Sequence, residues 1–220
     1  MIKCCIFDLD GTVLDTIGTI THYVNEIFRR HGILPVSEGE CNYFAGNGAG
    51  TLIERALRSK GIFSEELKNK ILPEYKAAYD EDPVYLTRVF PGIDKLLSEL
   101  RKREIKIAVL SNKPDTATKS VVNKFFPDVF DEVIGAVDGI PLKPSPASAL
   151  SLTARLGVVP EEVAWIGDTA TDIETAKNLG ARLGIGVLWG FRPREELVLA
   201  GADVIADDPC EILREVISVD

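Results

Sequence analysis

From about residue 90 onward the chain alternates short apolar runs with stretches of helical period, and that alternation leaves few folds open. The runs 105–110 (Ile-Lys-Ile-Ala-Val-Leu), 163–166 (Val-Ala-Trp-Ile) and 184–188 (Gly-Ile-Gly-Val-Leu) read as strands, with shorter candidates at 133–134 and 203–206. Residues 92–103, 114–125, 145–156, 169–179 and 209–217 read as helices, the first through the spacing of Ile93, Leu96, Leu97 and Leu100. Consecutive strands separated by helices run parallel, and a parallel sheet is covered on both faces. With a further strand at 3–8, the expectation is an α/β fold built on a doubly wound, mostly parallel, Rossmann-like sheet.

The stretch 16–85 breaks this rhythm. It carries helical segments at 17–31, 49–60 and 64–81 and no strong strand. It lies between the first strand and the rest of the sheet, and Phe90-Pro91-Gly92 marks the return. The expected organisation is an α/β core of residues 1–15 and 86–220 with a small helical cap, 16–85, inserted after the first strand. The last few residues are expected to fray.

Composition excludes several classes. Apolar residues make up 45% of the 220, which is ordinary for a packed domain and too rich for disorder. No apolar run is long enough to cross a bilayer, and the short one at the N-terminus meets Asp8 and Asp10 at once, unlike a secretory signal. A cytoplasmic protein is expected. Its formal net charge of −9 argues against nucleic acid or an anionic membrane as partner. Cys4, Cys5, Cys41 and Cys210 form no C-x-x-C pair, and His22 and His31 lack zinc-site spacing. All four cysteines read as packing residues. Monomer and homodimer both stay open.

The segment Asp8-Leu9-Asp10-Gly11-Thr12 follows the first strand. Residues two apart in an extended segment share a face, so the two carboxylates can converge on one cation or substrate. Gly11 permits a tight turn, beyond which exposed amides can cradle phosphate oxygens. The same residues also suit a plain turn. A calcium loop aligned on Gly11 would put Ile6 and Ile17 at ligand positions, which rules it out. The later strand ends decide between the readings. Ser111-Asn112-Lys113 follows one strand, Gly167-Asp168-Thr169-Ala170-Thr171-Asp172 another, and Lys143 lies between them. Open α/β sheets bind ligands at these carboxyl ends.

Taken together, Asp8-Leu9-Asp10-Gly11-Thr12, Ser111, Lys143, and Gly167-Asp168 with Asp172 resemble the four motifs of the haloacid dehalogenase superfamily of phosphatases, over essentially the whole chain. The cap segment Gly46-Asn47-Gly48-Ala49-Gly50-Thr51-Leu52 and Ser111-Asn112-Lys113-Pro114 are similar to stretches of its phosphoglycolate phosphatases. The resemblance implies that Asp8 is a nucleophile forming an aspartyl-phosphate and that Asp10 is the acid and then the base. It implies Mg2+ held by Asp8, the Asp10 carbonyl and Asp168. Asp172 is either a further member of that site or simply an acid in a helix's first turn. Thr12, Ser111, Asn112 and Lys113 would meet a small anionic phosphate substrate, with Lys143 neutralising charge. In the cap, Asn47 and Arg55 are the candidates for the substrate's other end. Asp15 reads as the N-cap of the first cap helix.

The same aspartates would serve a sugar phosphomutase, whose cap must bind a second phosphate, and the cap shows no arginine–serine cluster for it. A dehalogenase would not need Asp10. A phosphonate hydrolase would need a Schiff-base lysine, whereas Lys60, Lys68, Lys70 and Lys76 read as exposed helix lysines. A regulatory phospho-acceptor domain would lack the helical insert and the second acid.

Overall fold

The computed structural model describes residues 1–219; Asp220, at the end expected to fray, lies outside them. In chain order the elements are β1 (Cys4–Phe7), β2 (Leu14–Asp15), α1 (Ile17–Arg30), α2 (Glu38–Phe44), α3 (Ala49–Ser59), α4 (Glu65–Glu81), β3 (Arg88–Val89), α5 (Ile93–Lys102), β4 (Lys106–Pro114), α6 (Asp115–Phe125), β5 (Glu132–Ala136), α7 (Ala147–Leu156), β6 (Val163–Gly167), α8 (Ala170–Leu179), β7 (Leu183–Val187), α9 (Arg194–Ala200), β8 (Val204–Ala206) and α10 (Pro209–Ser218).

Six strands form one parallel sheet in the order β5-β4-β1-β6-β7-β8. The central strands β1 and β6 are buried along their whole length, which is why they read as unbroken apolar runs rather than alternating ones. Their side chains divide between two cores. Cys5 and Phe7 pack with Leu96, Leu97, Val121 and Ile212 of α5, α6 and α10. Cys4 and Ile6 pack with Trp165, Leu152 and Ala176 on the side of α7 and α8. β1 thus sits mid-sheet with Phe7 opposite both Val109 and Ile166. The next residue, Asp8, emerges at the crevice where the strand order reverses, the usual ligand position of such sheets.

Helices α1 to α4 pack around a separate core that includes Val24, Ile27, Phe28, Ile53, Leu57 and Ile71. Two residues of the sheet unit, Ala117 and Phe191, belong to that same cluster. The helical layer is therefore packed onto the carboxyl ends of the strands. The chain leaves and re-enters through β2 and β3, an antiparallel pair with Leu14 opposite Val89.

Several expectations need correction. β4 does not stop at residue 110: Ser111 to Pro114 continue the strand, with a register shift against β5. Polar residues usually mark a strand end, but here they are buried and bonded at the site. Asp15 lies in β2, and Thr16 takes the N-cap position of α1 without a side-chain bond. α2 was not expected; it starts with a Ser37–Glu40 capping box and buries only Cys41. α9 was likewise unassigned. Cys4, Cys5 and Cys41 are buried, but Cys210 is exposed at the start of α10, where its amide bonds to Asp208. Lys60 and Lys68 are partly buried in ion pairs with Glu40 and Glu54. Among the described residues no helix is long and apolar enough to cross a membrane.

Leu97 is 1% exposed against the face formed by Cys5 and Phe7. Leu97→Ala should lower unfolding free energy by roughly 2–5 kcal/mol in urea titration. A loss below about 1 kcal/mol would contradict this description of the core.

Candidate active site

β1 delivers Asp8. Its amide donates to the Ile166 carbonyl at 2.8 Å, which extends the pairing with β6 by one residue and fixes the direction of the side chain. Asp8 Oδ1 accepts from Lys143 Nζ at 2.7 Å. The same ammonium donates to Asp172 Oδ1, also at 2.7 Å. Lys143 is held in turn by Asn112, whose Oδ1 accepts the Lys143 amide at 2.9 Å and whose Nδ2 donates to its carbonyl at 3.2 Å. A lysine side chain only 2% exposed keeps its charge only between carboxylates.

α8 delivers Asp172, and each oxygen of that carboxylate has its own task. Oδ2 accepts from the Thr169 amide and hydroxyl at 3.1 and 2.6 Å, closing a capping box, while Oδ1 receives Lys143. Asp172 is therefore a first-turn acid of α8 that also holds Lys143. Gly167 makes room for it: a Cβ there would lie 2.2 Å from Asp172 Cγ.

Asp168, at the end of β6, is fully buried. Its Oδ1 accepts from Thr12 Oγ1 at 3.1 Å and its Oδ2 from the Phe191 amide at 2.7 Å. The turn after β1 closes against it. Gly11 has φ of +90°, and a Cβ there would come 2.4 Å from Asp168 Oδ2, so the position needs glycine on both counts. Asp10 stands at the other side of that turn. Lys113 Nζ donates to its two oxygens at 3.0 and 3.3 Å and to the Tyr79 hydroxyl of α4 at 2.6 Å.

A cavity of about 60 Å³ lies over these groups. Asp8, Asp10, Ser111, Asn112 and Lys113 form its polar floor, while Ile20, Ala45, Gly48, Leu52 and Tyr75 line the helical side, with exposed Lys76 at the rim. Thr12, Asn47 and Arg55, expected at the substrate, have side chains committed to protein partners and do not line this cavity. Thr12 bonds Asp168, Asn47 Nδ2 donates to Thr171 Oγ1 at 2.8 Å, and Arg55 donates to the Tyr43 and Phe44 carbonyls at 3.1 and 3.2 Å. The Asn112 side chain is likewise spent on Lys143 and, at 3.1 Å, on the Gly46 carbonyl. Tyr79 and the segment Trp189–Arg192 escaped the sequence reading. The latter follows β7, one more strand end at the same edge of the sheet, and that position was the available signal.

The donor set fits a hard divalent cation. Oxygens of Asp8, Asp168 and Asp172 lie within 4.8 Å of one another, all buried. Three carboxyl groups face one lysine there, and all the donors are oxygen. Burial raises the Asp8 carboxyl to about 7, against the lowering effect of Lys143 and with a further rise from Asp172. Burial, then Asp8 and Asp172, push Asp168 well above the ordinary carboxylate range. Burial would lower Lys143, but Asp172 and Asp8 outweigh it and raise it.

These directions predict a pH effect. In the metal-free protein Asp8 and Asp168 hold protons more tightly when folded than when unfolded. Stability therefore falls as pH rises from 3.8 through about 7. A bound divalent cation removes that penalty. The rise in Tm on adding magnesium chloride should be larger at about pH 8 than at about pH 5. An equal or larger rise at the lower pH would contradict the assignment.

Comparison with known proteins agrees with this geometry. The sequence profile of the haloacid dehalogenase-like hydrolases matches residues 5–185. The phosphoglycolate phosphatase of Rhodospirillum rubrum is 30% identical over 214 residues, covering 94% of this chain and 88% of that protein. That of Cereibacter sphaeroides is 32% identical over 222 residues, covering 97% and 98%. A crystal structure from Lactobacillus delbrueckii subsp. bulgaricus, of a protein proposed to be a phosphoglycolate phosphatase, superposes with a TM-score of 0.93 at 32% identity, covering 97% of this chain and 98% of its own. The chain belongs to the haloacid dehalogenase-like hydrolase family and is one of its phosphoric monoester hydrolases.

Proposed function

We propose that this enzyme is a magnesium-dependent phosphatase that hydrolyses a small phosphate monoester, 2-phosphoglycolate first among them, through an aspartyl-phosphate on Asp8. The observation that carries the reading is the position of Asp8: buried, bonded through Oδ1 to Lys143, and lining a cavity beside a second carboxyl, Asp10. The substrate choice rests on the likeness to phosphoglycolate phosphatases over nearly the whole chain.

In the first half-reaction an Asp8 oxygen attacks phosphorus and the bond from phosphorus to the leaving oxygen breaks. Asp10 gives its proton to that oxygen. In the second, Asp10 as carboxylate takes a proton from water, the water oxygen attacks phosphorus, and the Asp8–phosphorus bond breaks to release phosphate. Lys113, bonded to Asp10, holds the acid in place between the two steps. Lys143 donates to Asp8 and balances charge that builds on the phosphoryl oxygens. The Ser111 hydroxyl and the Asn112 amide are the donors for those oxygens. Asp8, Asp168 and the Asp10 carbonyl would hold Mg2+, with Asp172 completing the acidic cluster through Lys143. When bound, the ion supplies positive charge that lets one anion approach another.

In this reading residues 16–85 act as a cap over a core of 1–15 and 86–220, and β2 and β3 form the neck on which it moves. A phosphomutase is less well supported. The helical side of the cavity is mostly apolar and offers Lys76 alone as a cation, at its rim, for a second phosphate.

Asp8→Asn should lower kcat by about four orders of magnitude or more while leaving Tm within a few degrees. Asp10→Ala should cost about 10²–10⁴-fold. In a panel of phosphate esters and pyrophosphate, 2-phosphoglycolate should give the highest kcat/KM, and chelation should abolish phosphate release. Full activity in chelator, or isomer formation without phosphate release, would overturn the proposal.

A further inference from the structure

α2 ends without the usual device for closing a helix. Its C-cap, Ala45, is extended (φ −73°, ψ 169°) rather than left-handed, so the terminal carbonyls need donors from elsewhere. Two arginines supply them. Arg55, from α3, donates to Tyr43 and Phe44. Arg192, from the loop after β7, donates to the Asn42 carbonyl, to Tyr43 O at 3.3 Å and to Ala45 O at 2.9 Å. Only the second crosses from the sheet unit to the helical layer. Arg192 is 8% exposed, and its Nε pairs at 3.2 Å with Glu196 Oε2. Glu196 Oε1 accepts the Ala170 amide at 3.1 Å, in the first turn of α8. A guanidinium fixed in this way is a rigid fork aimed at carbonyls, at the end of a helix that favours positive charge.

The neighbours of Arg192 reach the site directly. The Trp189 indole donates to the Thr12 carbonyl at 3.0 Å. The Phe191 amide holds Asp168, and its ring lies in the helical layer's core. Gly190 is needed for this approach, since a Cβ there would stand 2.4 Å from the Gly11 carbonyl. The carbonyl ends that Arg192 grips lead straight into Ala45, Gly46 and Gly48, which line the cavity.

We propose that Arg192 is a positioning residue that seats the 45–48 loop over the cavity by binding the last carbonyls of α2 across the cap–core boundary, so that one segment, Trp189–Arg192, braces both Asp168 and the closed cap. The inference rests on residues 16–85 acting as a cap. It assigns Arg192 no contact with the reacting atoms. Closure precedes chemistry, so losing the seat lowers the fraction of binding-competent enzyme. Saturating substrate restores that fraction, and the loss therefore falls mainly on KM.

The test compares the wild type with Arg192→Ala and Arg192→Lys by hydrogen exchange and by steady-state kinetics on the preferred ester. In Arg192→Ala, exchange of amides 41–48 should quicken about tenfold or more, with β1 and β6 unchanged. KM should rise by a similar factor and kcat should change little. Arg192→Lys keeps the charge without the fork and should restore only part of both. Unchanged exchange at 41–48 in Arg192→Ala would overturn the proposal, as would faster exchange spread through the sheet or full rescue by lysine. If the wild type hydrolyses no ester, the functional reading fails, and the exchange measurement still decides the role of Arg192.

Discussion

Everything at the site depends on one ammonium group held between two carboxylates. Lys143 Nζ stands 2.7 Å from both Asp8 and Asp172. A buried lysine without such partners would shed its proton, and buried carboxylates without a cation would take one up. Lys143 opposes that uptake at Asp8, although burial still raises the Asp8 carboxyl to about 7. Asp168 adds a third buried carboxyl beside that one lysine. The cluster therefore binds its lysine firmly and leaves demand for one more cation. That is how a chain of net charge −9 can bind an anion: the positive charge it needs is local.

The fold supplies the precision. β1 and β6 lie side by side at the centre of the sheet, so Asp8 and Asp168 leave adjacent strand ends. Gly167 opens the space that Asp172 fills. The Asn112 side chain clamps the backbone of Lys143 on both sides. The helical layer adds groups of its own, and Tyr79 meets Lys113, the partner of Asp10. Charge placement thus links the sheet, the turn after β1 and the layer above it.

Much of this was legible in the sequence, for a physical reason. Buried parallel strands leave continuous apolar runs, and polar residues just beyond them have no packing role to explain them. Asp8, Asp10, Ser111 and Asp168 stood out on that ground and Lys143 by lying between two such clusters, and the structure brings them together around one cavity and its buried base. Other features left no such trace. β2 and β3 have two residues each, too few for any period. α2 has seven residues with one buried. Side-chain direction is also invisible in a motif. Thr12, Asn47 and Arg55 carry suitable donors, yet tertiary packing turns them to Asp168, Thr171 and the end of α2. Arg192 sits in a loop whose partners are some 150 residues away, and no local pattern records that pairing.

In the proposed reaction Asp8, held by Lys143, takes the phosphoryl group from the substrate. Acid quenching during turnover, digestion and mass spectrometry read this directly, since an acyl phosphate adds one phosphoryl group to a single peptide. The group is expected on the peptide containing Asp8, with fragmentation placing it on Asp8 and not on Asp10, and it should disappear when substrate is exhausted. Turnover with no phosphorylated peptide, or with the group on another residue, would contradict it.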